Sequence, residues 1–160
     1  MHKSQTNYFY KDMPDKNFFV DILQKKQTRP GPSFHENWHE HLQFFYFTEG
    51  EAIMRCSSRE INVKPDDFII INSNELHYCK NLCNNLNYYI IRVDLSFLFS
   101  SQMDSCQTKF MIPLAQNLIL FKNLVRNNRK ILECIKEIIN EYSSCKCQVQ
   151  NVEKFQHENA

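Results

Sequence analysis

Glycine is nearly absent from this sequence. Two glycines, Gly31 and Gly50, stand in 160 residues, where the usual frequency would place roughly eleven. Neither a dinucleotide-binding G-x-G-x-x-G nor a phosphate loop G-x-x-x-x-G-K-[ST] can be written with them. Collagen-like and flexible-linker compositions are excluded on the same count. Seventeen asparagines occur instead, and Asn is the side chain that, after Gly, best tolerates left-handed turn positions.

Charge of one sign is also missing. Nineteen basic and eighteen acidic side chains leave a net charge of +1, too balanced for a domain whose main task is gripping a phosphate backbone. No apolar run reaches 18 residues, and Met1 to Pro14 has no apolar core, so neither a membrane span nor a secretion signal is expected. The seven cysteines are odd in number and irregularly spaced. They read as reduced thiols of a cytoplasmic protein. Cys79-x3-Cys83 and Cys145-x-Cys147 are weak zinc signals, because neither forms a paired C-x2-C set. No Ser-His-Asp or Cys-His nucleophile arrangement has a local signature.

What is present is aromatic. Thirteen Phe and seven Tyr favour pleated, half-buried surfaces. The runs Leu42 to Phe47, Ala52 to Met54, Phe68 to Ile71 and Tyr88 to Val93 each suit a short strand, and their spacing argues for a sandwich or barrel. Phe44-Phe45-Tyr46-Phe47 is apolar at every position, which implies burial on both faces. Leu118 to Val125 is compatible with strand or helix. Ile131, Leu132, Ile135, Ile138, Ile139 and Tyr142 form one stripe of a helix, with Asn127-Asn128 as the N-cap region and Ser143-Ser144 ending the pattern. The expected organisation is an N-terminal arm and first strand over 1–32, a barrel over 33–127, a helix over 128–143 and a mobile polar tail over 144–160.

The segment Gly31 to Gly50 carries the chemistry. His35, Asn37, His39, His41 and Gln43 are all odd-numbered, so one continuous strand would place all five on one face. His77 follows the Phe68 to Ile71 strand. Histidines two apart with a third arriving from elsewhere can hold a metal or form the polar floor of a small-molecule pocket. A third possibility is an edge strand decorated with solvent-facing polar groups.

This spacing resembles the cupin family. The first cupin motif, G-x5-H-x-H-x3-E-x6-G, fits in register as Gly31, Asn37, His39, Gln43 and Gly50. The second, G-x5-P-x-G-x2-H-x3-N, fits as Asp66, Asn72, Asn74, His77 and Asn81. Asp66 and Asn74 occupy the second motif's glycine slots, where Asp and Asn can sustain positive φ. A narrower resemblance lies in Trp38-His39-Glu40-His41-Leu42-Gln43, in Val63-Lys64-Pro65-Asp66-Asp67 and in Asn74-Glu75-Leu76-His77. These are similar to the N-terminal domain of AraC-type transcription regulators over roughly residues 30–143.

The resemblance implies a mainly β fold, a double-stranded β-helix (cupin or jelly-roll barrel) with a C-terminal α-helix. It implies a domain that senses a small molecule and forms a homodimer, with DNA bound by a separate C-terminal helix-turn-helix domain not contained in this sequence. No catalytic residue and no cofactor is expected. His39, His41, Gln43 and His77 are the expected polar ligand contacts, with Phe45 as a wall and the Tyr8 to Tyr10 arm as a lid. No metal is expected: Asn37 and Gln43 stand where the family's metal ligands include a histidine and a glutamate. If a metal were held, His39, His41 and His77 would hold it. The alternative is a small cupin metalloenzyme, an isomerase or dioxygenase; a third reading is a dimerisation module with a collapsed pocket.

Overall fold

The computed structural model describes Met13, residues 19–99 and residues 104–158, without the side chains of 97, 98 and 146–158. The arm at Tyr8 to Tyr10 lies outside the described residues. Among the described residues nine strands form two antiparallel sheets: β1 (Val20–Gln27), β2 (Gly31–Asn37), β3 (Leu42–Glu49), β4 (Ala52–Cys56), β5 (Arg59–Val63), β6 (Phe68–Ile71), β7 (His77–Asn81), β8 (Leu86–Val93) and β9 (Leu124–Val125). The larger sheet has the order β1-β8-β3-β6-β9 and the smaller β2-β7-β4-β5. Through the first eight strands this alternation between sheets is the double Greek key of a jelly roll, as expected for a cupin.

Side-chain parity follows from that order. On β3, Phe45 and Phe47 are fully buried with Met54, Ile69, Ile71, Leu86 and Tyr88 in one core. On the opposite face of the same strand Tyr46 is buried, and Phe44 stacks on Phe68 with ring centroids 5.4 Å apart. Burial on both faces is what an apolar run without alternation requires.

Two turns show how a chain poor in glycine closes a jelly roll. Asp67 N donates to Lys64 O at 3.1 Å, and Glu75 N donates to Asn72 O at 3.1 Å. The third residue of each turn, Asp66 or Asn74, has positive φ, 66° and 59° respectively. That position ordinarily takes Gly; in the first turn Pro65 precedes it, the type II preference. Asn117 and Asn127 also lie at positive φ, so part of the asparagine excess has a backbone cause.

The structure departs from the single extended histidine strand. β2 ends at Asn37 in the smaller sheet and β3 begins at Leu42 in the larger one. Residues 38–41 therefore carry the chain from one sheet to the other, and parity does not continue through them. The crossover is pinned by Asn74 N to His39 O at 2.7 Å and Ser73 Oγ to Glu40 O at 2.6 Å. His35 is consequently exposed, and Asn37 spends its amide on His35 O at 2.8 Å. The Leu118 to Val125 segment contributes only the two residues of β9; before it, Asn72 holds Phe121 through both backbone groups, at 2.8 and 3.1 Å.

Residues 128–160 form a separate compact unit, built on helix α2 (Arg129–Glu158); a shorter helix, α1 (Ile112–Ala115), belongs to the first unit. Asn128 Oδ1 accepts from Ile131 N at 3.2 Å, the side-chain cap expected at that end. The helix continues past Ser143-Ser144, where the sequence pattern stops. The reason is local: Ser143 and Ser144 turn their hydroxyls back to Ile139 O and Asn140 O, at 2.8 and 3.0 Å. This satisfies the serines inside the helix instead of ending it.

Candidate functional site

The crossover and the incoming β7 strand bring three side chains together between the sheets. His39 Nε2 lies 3.0 Å from Gln43 Oε1, and Gln43 Nε2 lies 3.4 Å from His77 Nε2. The two imidazoles meet edge to face with centroids 5.0 Å apart. Phe34 and Phe45 stack on each other at 5.5 Å and both meet the His77 ring edge-on, at 5.7 and 6.1 Å. All of His39, Gln43, Phe45 and His77 are buried. His41 is buried too, with its ring 5.9 Å from that of His39, but its Nδ1 has no hydrogen-bond partner among the described residues.

The proton inventory of this cluster is short by one. His39 Nδ1 faces His41 O at 3.1 Å and His77 Nδ1 faces Glu75 O at 2.9 Å. A neutral ring that donates to its carbonyl leaves Nε2 as an acceptor. Gln43 serves His77 Nε2 with an amide hydrogen, but its carbonyl faces His39 Nε2, which then also needs a hydrogen. Only an imidazolium at His39 would meet both carbonyls. Burial opposes it, and His77 nearby adds to the effect, so the His39 pKa is pushed down to about 4. Burial likewise pushes His77 down to about 4, against the raising effect of the Glu75 carbonyl. Both rings are neutral at pH 7, and a ligand hydroxyl can supply the missing donor.

A metal is not favoured by this donor set. Among the described residues no three His, Cys, Asp or Glu side chains converge as a cation site. His41 does not join His39 and His77 as a third ligand, and the amide of Gln43 sits between the two imidazoles. The buried thiols of Cys56 and Cys79 are pushed up to about 12 by burial, each helped by a nearby acid, Glu75 or Cys56 respectively. They are inert neutral groups. Cys56, Cys79, Cys83, Cys106, Cys134 and Cys145 are all free.

Residues 19–157 match the family described as the AraC-like ligand binding domain. The chain belongs to that family. No curated protein matches the sequence. Among solved structures, the AraC-like domain is similar to oxalate decarboxylase from Bacillus subtilis, at 16% identity and a TM-score of 0.44 over 48% of this chain and 21% of that one. It thus spans about a fifth of the decarboxylase's length. A cupin-superfamily protein from Desulfitobacterium hafniense is 15% identical over 47% of this chain and 67% of that chain, with a TM-score of 0.44. A cupin protein from Bacteroides fragilis is 10% identical over 55% and 76%, with a TM-score of 0.47.

Two residues of the AraC-like domain's interior are not among those singled out from its sequence. Asp21 on β1 stands opposite Arg92 on β8, and the two form a buried ion pair. The signal was a lone charge inside each of two apolar runs, Val20-Asp21-Ile22-Leu23 and Tyr89-Ile90-Ile91-Arg92-Val93. Opposite signs at such positions suggest a buried pair, because neither charge is tolerated alone.

The neutral histidines make stability depend on pH. The unfolded chain takes up protons near pH 6.5, whereas folded His39 and His77 wait until about pH 4. Between those values the unfolded state binds more protons, so stability falls as pH falls. The loss should approach about 2–3 kcal/mol per ring at the bottom of the window. Urea midpoints measured between pH 7 and pH 4.5 should drop steadily, and less so in His77→Leu. A flat profile in the native protein would count against neutral burial.

Proposed function

We propose that this domain is the effector-sensing module of a transcription regulator, binding a small molecule inside the barrel without transforming it. His39, His41, Gln43 and His77 offer the polar contacts, and Phe45 with Phe34 forms an apolar wall. The observation that carries the reading is the Gln43 amide placed between two neutral imidazoles: a surface built to exchange hydrogen bonds, with no carboxylate among its members to hold a divalent ion. In this reading the domain acts in the cytoplasm as a homodimer and reaches DNA through a separate C-terminal helix-turn-helix domain. No helix among the described residues is long and apolar enough to cross a membrane.

Metal analysis of untagged protein, together with thermal denaturation against a library of small metabolites, tests this. The expected result is no stoichiometric iron, manganese or zinc, and at least one compound whose stabilisation is lost in Gln43→Leu. Stoichiometric metal released by His77→Ala would instead support the cupin metalloenzyme. Light scattering at micromolar concentration should give the mass of two chains; a monomer would count against the dimer.

A further inference from the structure

Two buried polar atoms near the His39–Gln43 cluster have no hydrogen-bond partner among the described residues. Strand β8 runs between β1 and β3, so Arg92 stands opposite Asp21 on one side and Gln43 on the other. Residues directly opposite each other in antiparallel strands project to the same face. Gln43 reaches His77 in the facing sheet, so that face is the interior. Arg92 is 3% exposed, and its Nη2 donates to Asp21 Oδ2. Its Nη1 has no hydrogen-bond partner among the described residues. The second orphan is Nδ1 of His41, a residue 8% exposed whose ring lies 5.9 Å from that of His39. An unmet buried donor is costly, more so on a charged group.

We propose that Arg92 Nη1 and His41 Nδ1 anchor the effector, and that the effector is an uncharged molecule bearing hydroxyl or carbonyl oxygens. The inference rests on the sensing function proposed above. Charge balance selects the class. Asp21 already neutralises Arg92, and burial keeps His39 and His77 neutral, so a ligand carboxylate would enter the buried interior as an unbalanced anion beside Asp21. A hydroxyl or carbonyl oxygen accepts the Nη1 hydrogen without adding charge. His41 Nδ1 can donate or accept, which suits a hydroxyl on the same molecule.

The test uses matched probes at millimolar concentration: D-xylose, glycerol and lactamide, each beside its carboxylate, D-xylonate, glycerate and lactate. Thermal denaturation of the full chain should show at least one uncharged probe raising Tm while its carboxylate does not. The rise should be on the order of 5 °C when the probe is present at about a hundred times its Kd. Arg92→Met should weaken that binding about ten- to a hundredfold. His41→Phe, which leaves the Asp21–Arg92 pair intact, should also weaken it and keeps the test valid if Arg92→Met fails to fold. Stabilisation by the carboxylates alone, or uncharged binding that is indifferent to His41→Phe, overturns this inference and leaves the sensing function standing. No stabilisation by any probe counts against both.

Discussion

Gly50→Ala should be the most damaging conservative change in the barrel, lowering stability by about 3–5 kcal/mol. Gly50 has φ +80°, and a methyl added there would lie 2.3 Å from Asn85 O and 2.6 Å from Cys83 Sγ. The first atom is backbone and cannot rotate away. Backbone strain and overpacking therefore act together at one position. Gly31 is the internal control. Its φ is +136°, but nothing lies within 4 Å of an added methyl. Gly31→Ala should cost only the strain, about 1–3 kcal/mol. Urea denaturation of both variants checks this. Equal losses would show that crowding by the Asn85 carbonyl is relieved by a small backbone shift.

The contrast explains why two glycines suffice. At Asp66 and Asn74 the chain needs positive φ, and a side chain able to visit the left-handed region meets the need. At Gly50 it needs positive φ and also close approach of the backbone of the β7–β8 connection at Asn85, which no side chain permits. Motif register was therefore legible from spacing even where motif letters had changed. The jelly roll followed from that register together with the apolar runs. The four strands read from composition were the most apolar ones; β2 and β5 carry few apolar residues and owe their place to pairing with neighbours. The candidate site was legible at His39, Gln43 and His77, where motif positions and interior positions coincide, and at Phe45, which shares a strand face with Gln43. It was not legible at His35 and Asn37, because alternation presumes one strand and the chain changes sheets at residues 38–41. At Asp21 and Arg92, 71 residues apart, lone charges in apolar runs point to buried pairing, but which charge meets which follows only from strand order.

That buried pair gives the second large effect. Asp21→Leu should destabilise the domain by about 3–5 kcal/mol, because it leaves the Arg92 guanidinium charged, desolvated and without its carboxylate. The pair itself need not stabilise the fold. Both side chains are nearly inaccessible, at 4% and 3%, and taking two charges out of water offsets most of their attraction. The double variant Asp21→Leu/Arg92→Met fills the same space with apolar groups. It should recover most of the loss, and can equal or exceed the native stability. Urea denaturation of the native chain, Asp21→Leu, Arg92→Met and the double variant closes the cycle. A double variant no more stable than Asp21→Leu would mean that the pair is a structural requirement of the barrel. Recovery of stability with loss of ligand stabilisation would separate two roles that the single variants mix. Folding would then tolerate an apolar β1–β8 contact, and the buried charge would be kept for what Arg92 Nη1 binds.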